Sequence, residues 1–287
     1  MPELPEVETI RRGLERLVVG YTVKDVEIRY KNIFHGDPTL VTDAEILAVR
    51  RYGKGLLIDF ANGYSLAIHV KMTGQLIFKT TETTKEFHPR LPLPLNLPDK
   101  HTHAIFELIS LNSEVGNARL FYNDIRKFGW LKVVRTDQAS ELPFFKNLGL
   151  EPLSSLTVPA FNHILSSSNA PIKSLLMDQQ KIAGVGNIYA NDALYASQID
   201  PRRPAKSLSE KEAKALFEAV EKVLRKGIEA GGASDVNYLN ADGTKGSYQN
   251  HFLVYKKTGK PCPRCGTPIE KIQLAGRGTF FCSRCQK

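Results

Sequence analysis

The four cysteines of this 287-residue chain all lie near its end, as one C-x2-C pair at Cys262 and Cys265 and a second at Cys282 and Cys285, with sixteen residues between the pairs. That spacing suits a zinc ribbon, in which each knuckle presents two thiolates to one tetrahedral ion. A redox C-x-x-C pair would need a thioredoxin-like context, and two disulfides would conflict with a cytosolic compartment. One structural Zn2+ on the four sulfurs is therefore expected, holding a hairpin in which Gly266 eases the turn. Between the knuckles, IQLAGRGTFF sets Arg277 between Gly276 and Gly278, so that backbone and guanidinium could approach a phosphate closely. From 251 to 287, eight lysines and arginines face the single acid Glu270.

The basic tail matches the chain as a whole, in which 39 Lys and Arg against 30 Asp and Glu give a formal net charge of +9. A polyanion is the expected partner, nucleic acid before anionic membrane. With 42% hydrophobic and 24% charged residues the chain can bury a sizeable core, which excludes disorder and fibre. No apolar run approaches the ~18 residues of a membrane span, and MPELPEVETIRRG lacks the basic and apolar regions of a signal peptide. The expectation is a cytoplasmic protein with no membrane partner.

Periodicity divides the rest. Val7, Ile10, Leu14, Leu17 and Val18 recur at helical spacing, with Pro5 suited to the first turn and Arg11, Arg12, Glu15 and Arg16 on the other face. From Thr22 to about Val134 the pattern is one of strands, in runs such as VKDVEIRY, LLIDF, SLAIHV, AIFELI and WLKVV, which predicts a sandwich or barrel. Residues 81 to 100, with Pro89, Pro92, Pro94 and Pro98, read as an exposed loop. Helices are predicted around 158 to 165, 172 to 179 and 187 to 196. A long one from 208 to 229 follows a capping box of Ser207 and Glu210 and stops at Gly231 and Gly232. The domain scheme is 1–135 as the β-rich domain, 136–155 as linker, 156–250 as the helical domain and 251–287 as the zinc finger.

Pro2 follows Met1 directly, and removal of the methionine would leave a secondary α-amine of low pKa, a nucleophile near neutral pH. Attack on an aldehyde-level carbon would give an iminium, with Glu3 and Glu6 at hand for proton transfer. By themselves these residues are as well explained by helix capping and the helix dipole.

PELPEVET at 2–9, NDIRKFG at 123–129, GVGNIYAND at 184–192 and GRGTFFCSRCQ at 276–286, in that order, closely resemble the formamidopyrimidine-DNA glycosylases, bacterial base-excision repair enzymes for oxidised purines. The resemblance spans nearly the whole chain. It implies an α+β protein: an N-terminal β-sandwich with a catalytic N-terminal helix, then a helix-two-turn-helix domain with a C-terminal zinc-finger hairpin, and DNA bound in the cleft between them. It implies that Pro2 attacks C1′ of the damaged nucleotide, that Glu3 protonates the opening sugar, and that β- and δ-elimination follow from the Schiff base. It implies that Lys54, Asn187 and Arg277 grip the phosphates beside the lesion, with His69 contributing and Lys173 near the lesion pocket. Met72, Arg126 and Phe128 would fill the hole left by the flipped nucleotide, two of them by stacking and the arginine by bonding the orphaned base. For Met72 and Phe128 ordinary core packing is the alternative, although Gly74 and Gly129 suggest exposed turns.

The loop from 233 to 249 resembles the one that closes over an everted purine. The endonuclease VIII relatives, which prefer oxidised pyrimidines, generally open PEGPE and lack this loop form. Asp192 stands where the family usually has Glu, and Thr102 lies between His101 and His103 where the family has HDH. The expectation is a bifunctional glycosylase and abasic-site lyase, monomeric, acting on 8-oxoguanine and formamidopyrimidines in double-stranded DNA, with zinc its only cofactor. Its rivals are an enzyme of the endonuclease VIII type and a non-catalytic protein that binds damaged DNA.

Overall fold

The computed structural model describes residues 1–80, 96–110, 116–234 and 238–287. By packing, the chain forms two compact units, one of Met1–Lys146 with Gly231–Ser247, the other of Asn147–Ala230 with Tyr248–Lys287.

The first unit opens with α1 (Leu4–Val18), which buries Val7, Ile10, Leu14 and Val18 as their spacing predicts. Among the described residues nine strands follow: β1 (Tyr21–Ile28), β2 (Phe34–His35), β3 (Ile46–Tyr52), β4 (Gly55–Phe60), β5 (Tyr64–His69), β6 (Gly74–Thr80), β7 (Thr102–Ser110), β8 (Ala118–Asp124) and β9 (Trp130–Arg135). They form two sheets, of order β1-β7-β8-β6 and β2-β9-β5-β4-β3, antiparallel throughout except for the short β2–β9 pair. Alternate residues of both sheets, including Ile58, Leu66 and Ile68 from one and Leu76, Phe106 and Leu120 from the other, share a core with α1. This is the sandwich expected. Strand β4 is buried on both faces, because Leu57 packs on its far side with Ala67 and Ala139. Residues 136–141 form a 3-10 turn and Pro143–Lys146 a short helix, α2, where the sequence reading has a linker.

The segment Gly231–Ser247, grouped by sequence with the helical domain, packs with the first unit. Its Ala241 meets the α1 backbone at Gly13, and its carbonyl accepts the Phe78 N–H at 2.9 Å. Of the proline-rich stretch, residues 81–95 lie outside the described residues. Asp99 and Thr102 close the turn that enters β7, the Asp99 N–H donating to Thr102 Oγ1 at 2.9 Å, which gives the departure at Thr102 a local role.

In the second unit α3 (Val158–Ser166), α4 (Ile172–Leu176), α5 (Asn187–Ala196) and α6 (Glu210–Glu229) precede the hairpin β10 (Glu270–Leu274) and β11 (Arg277–Phe281). Helix α5 is buried from Ile188 to Tyr195, while α6 is amphipathic and buries Leu216, Val220, Val223 and Leu224. The capping box of α6 is Ser209 with Glu212, two residues beyond the predicted pair. Ser207 is already committed to a 3-10 turn, its hydroxyl donating to the Pro204 carbonyl at 2.8 Å.

Candidate active site

Pro2 and Glu3 are both buried at the start of α1. Glu3 is the N-cap and forms a capping box with Glu6, whose Oε2 accepts the Glu3 N–H at 2.8 Å. Glu6 Oε1 accepts the Ala233 N–H at 2.7 Å, so one carboxylate ties the candidate nucleophile's segment to the 231–247 segment. The sequence reading has Glu6 only as an available carboxyl; nothing local pairs it with a residue so far along the chain.

Helix α1 is fastened to the turn that carries Lys54. Glu8 accepts hydrogen bonds from Arg11, Arg12 and Arg51, the last at 2.9 Å, and Arg51 also donates to the Gly53 carbonyl at 3.0 Å. Burial alone would raise the Glu8 carboxyl, but the three guanidinium bonds override it and hold it at about 2. Lys54 itself is buried. His69, at the end of β5, lies 4.6 Å from the Phe144 ring and 6.0 Å from that of Trp130. Burial first, then the ammonium groups of Lys71 and Lys54, lower its pKa to about 3. Its Nδ1 accepts the Lys71 N–H at 2.9 Å, which places the proton of the neutral ring on Nε2. Neutral His69 can thus donate one N–H.

Met72 and Phe128 are 40% and 53% exposed, so neither is core packing. The three predicted space-filling residues meet: Arg126 Nη1 lies 2.9 Å from Met72 Sδ, and its guanidinium stands 4.6 Å from the centre of the Phe128 ring.

In the second unit, Asn187 Nδ2 and Lys173 Nζ both donate to the Gly278 carbonyl, at 3.2 and 2.9 Å, and Lys173 also reaches Thr279 Oγ1 at 2.7 Å. Asn191 Oδ1 accepts the Phe280 N–H at 2.8 Å. These side chains lock β11 beside exposed Arg277, and Lys173, Ser174, Met177 and Arg277 help line a cavity of about 200 Å3. Lys173 is only 1% exposed, so its ammonium is used inside the protein on the hairpin. Asp192 is also wholly enclosed. Its Oδ1 accepts the backbone N–H groups of Leu253, Val254 and Tyr255 at 3.0 to 3.3 Å, and the shorter carboxylate is a strut for the turn that leads into the cysteine-bearing hairpin.

The four cysteine sulfurs lie within 4.8 Å of one another, at 3.5 Å between Cys265 and Cys282 and 3.9 Å between Cys262 and Cys285. Disulfide bonds are far shorter, whereas the edge of a tetrahedron with Zn–S bonds of about 2.3 Å is about 3.8 Å. The residues fit zinc. The Tyr195 hydroxyl, 3.3 Å from Cys262 Sγ, can donate to a thiolate there, a contact that the C-x2-C spacing gives no sign of.

Three family models match the chain: the formamidopyrimidine-DNA glycosylase N-terminal domain over residues 1–131, the formamidopyrimidine-DNA glycosylase H2TH domain over 148–237, and a zinc finger found in FPG and IleRS over 259–287. The formamidopyrimidine-DNA glycosylase of Pediococcus pentosaceus is 41% identical, with 100% of this chain and 99% of that protein aligned. The crystal structure of the Thermus thermophilus Fpg protein is similar at a TM-score of 0.85 and 40% identity, covering 99% of this chain and 98% of that one. Lactococcus lactis Fpg, solved in complex with DNA containing N7-benzyl-Fapy-dG, gives a TM-score of 0.86 at 34% identity and full coverage of both chains.

Proposed function

This chain belongs to the formamidopyrimidine-DNA glycosylase family of base-excision repair enzymes, and on that premise we propose that it excises 8-oxoguanine and formamidopyrimidines from duplex DNA through an imine on Pro2. The observation that carries the reading is the placing of Pro2 and Glu3, both buried, at the positive end of α1. That end disfavours an ammonium, so once Met1 is removed the Pro2 amine loses its proton readily. Its lone pair forms a bond to C1′ as the bond from C1′ to the base breaks, and the base leaves with the proton that the Pro2 nitrogen gives up. Glu3 delivers a proton to the ring oxygen as the sugar opens, leaving an iminium at C1′. Loss of a C2′ proton expels the 3′ phosphate, and a second elimination expels the 5′ phosphate. No redox partner is needed.

Lys54, His69, Asn187 and Arg277 are assigned to hold the phosphates beside the lesion, and Lys173 to support the β11 backbone near the lesion pocket. Met72, Arg126 and Phe128 take the space of the flipped nucleotide. One zinc ion on the four cysteines is structural and holds the hairpin that carries Arg277. We place the protein as a monomer in the bacterial cytoplasm; no helix among the described residues is long and apolar enough to cross a membrane.

A strand-nicking assay with the lesion exchanged tests the specificity. The reading expects 8-oxoguanine opposite cytosine to be cut at least about tenfold faster than an oxidised pyrimidine in the same duplex. The reverse order would assign the chain to oxidised pyrimidines.

A further inference from the structure

We infer that Asp124 is a positioning residue, which fastens the two loops bearing Met72, Arg126 and Phe128 into one wedge before DNA arrives. The inference rests on the proposed role of those three side chains in filling the hole left by a flipped nucleotide.

Asp124 ends β8, paired with Gly74 of β6, and is fully buried. Its backbone is fixed from both sides: its N–H donates to the His101 carbonyl at 2.9 Å, and its carbonyl accepts His103 Nε2–H at 2.7 Å. Its carboxylate then binds both loops. On the first, the Thr73 hydroxyl donates to Asp124 Oδ1. On the second, the Arg126 N–H is shared between Asp124 Oδ1 at 3.1 Å and Thr73 Oγ1 at 3.0 Å, and the Gly129 N–H donates to Asp124 Oδ2 at 2.8 Å. A buried charge with this many donors is satisfied and directional, so it defines one geometry.

The loops need such a clasp. Lys71 and Lys127, one in each loop, have φ of 47° and 56°, a left-handed conformation that persists only where the surroundings impose it. Gly129 must be glycine, because a Cβ there would lie 1.9 Å from the Tyr122 hydroxyl and 2.8 Å from the His69 carbonyl. Above this base the exposed tips touch, Arg126 against Met72 Sδ and over the Phe128 ring. Met72 and Phe128 are far apart in sequence, so their contact with one arginine follows from the clasp beneath.

A preassembled wedge inserts without waiting for its loops to find one another, whereas loosened loops are competent for only a fraction of the time. The test is stopped-flow fluorescence on a duplex holding an uncleavable abasic-site analogue with 2-aminopurine opposite, at saturating protein. Asp124→Asn, which removes one acceptor, and Thr73→Val, which removes one hydroxyl, are expected to slow the insertion phase at least about fivefold. Phe128→Ala is expected to abolish most of its amplitude. Rates within about twofold of the parent in both clasp variants, with the Phe128→Ala amplitude lost, would overturn the clasp and leave the wedge standing. Full amplitude in Phe128→Ala would overturn the wedge reading itself. If Asp124→Asn fails to fold, Thr73→Val decides by the same criterion.

Discussion

His69 shows how burial converts a common residue into a defined donor. Its pKa in the fold, about 3, lies below the ordinary 6.5 because burial and two ammonium groups disfavour the cation. The unfolded chain therefore takes up a proton at a pH where the native chain does not. The stability that this residue contributes is complete above about 6.5 and is lost as pH falls towards 3. Nitrogen-detected NMR of the free protein should show His69 neutral and protonated on Nε2 at pH 5. A charged ring at that pH would mean that the bond from the Lys71 N–H is not held in solution. The sequence marked His69 through its motif alone, since neither the tautomer nor the low pKa can be read without the aromatic wall of Phe144 and Trp130 and the nearby lysines.

At the level of elements, the close crossing of α5 and α6 is the part most exposed to a single change. A Cβ on Gly227 would stand 2.5 Å from the Tyr189 ring. Helix propensity alone favours alanine there by up to ~1 kcal/mol, while overpacking costs ~1–3 kcal/mol. Gly227→Ala should therefore lower the unfolding midpoint, and a rise would show that the helices part freely. Because α5 carries Asn187, Asn191 and Asp192, all bonded to the hairpin or the turn before it, the variant should also weaken DNA binding. The apolar spacing of α1, the limits of α5 and the two cysteine knuckles were legible in sequence, since each is set by residues a few positions apart. The cap of α6 was not, because Ser207–Glu210 and Ser209–Glu212 both satisfy the same spacing and the 3-10 turn before the helix decides between them. The 231–247 segment was not legible either. Its place depends on the closeness of Ala241 to Gly13 and on the Glu6–Ala233 bond, which no periodicity announces.

Across the whole molecule, the excess of +9 and the cations around the candidate site predict affinity dominated by phosphate contacts. With about three to five such contacts, binding to undamaged duplex should fall roughly fortyfold to five-hundredfold between about 50 and 200 mM salt. A flat response would remove the phosphate grip. The central claim, that Pro2 is the nucleophile, is tested most directly by borohydride trapping on duplex carrying 8-oxoguanine opposite cytosine, with the first residue of the protein established by mass. Protein that begins at Pro2 should yield a covalent adduct, weakened by Pro2→Gly and by Glu3→Gln. The absence of an adduct from protein with a free Pro2, on that duplex and on one carrying an abasic site, would contradict the claim.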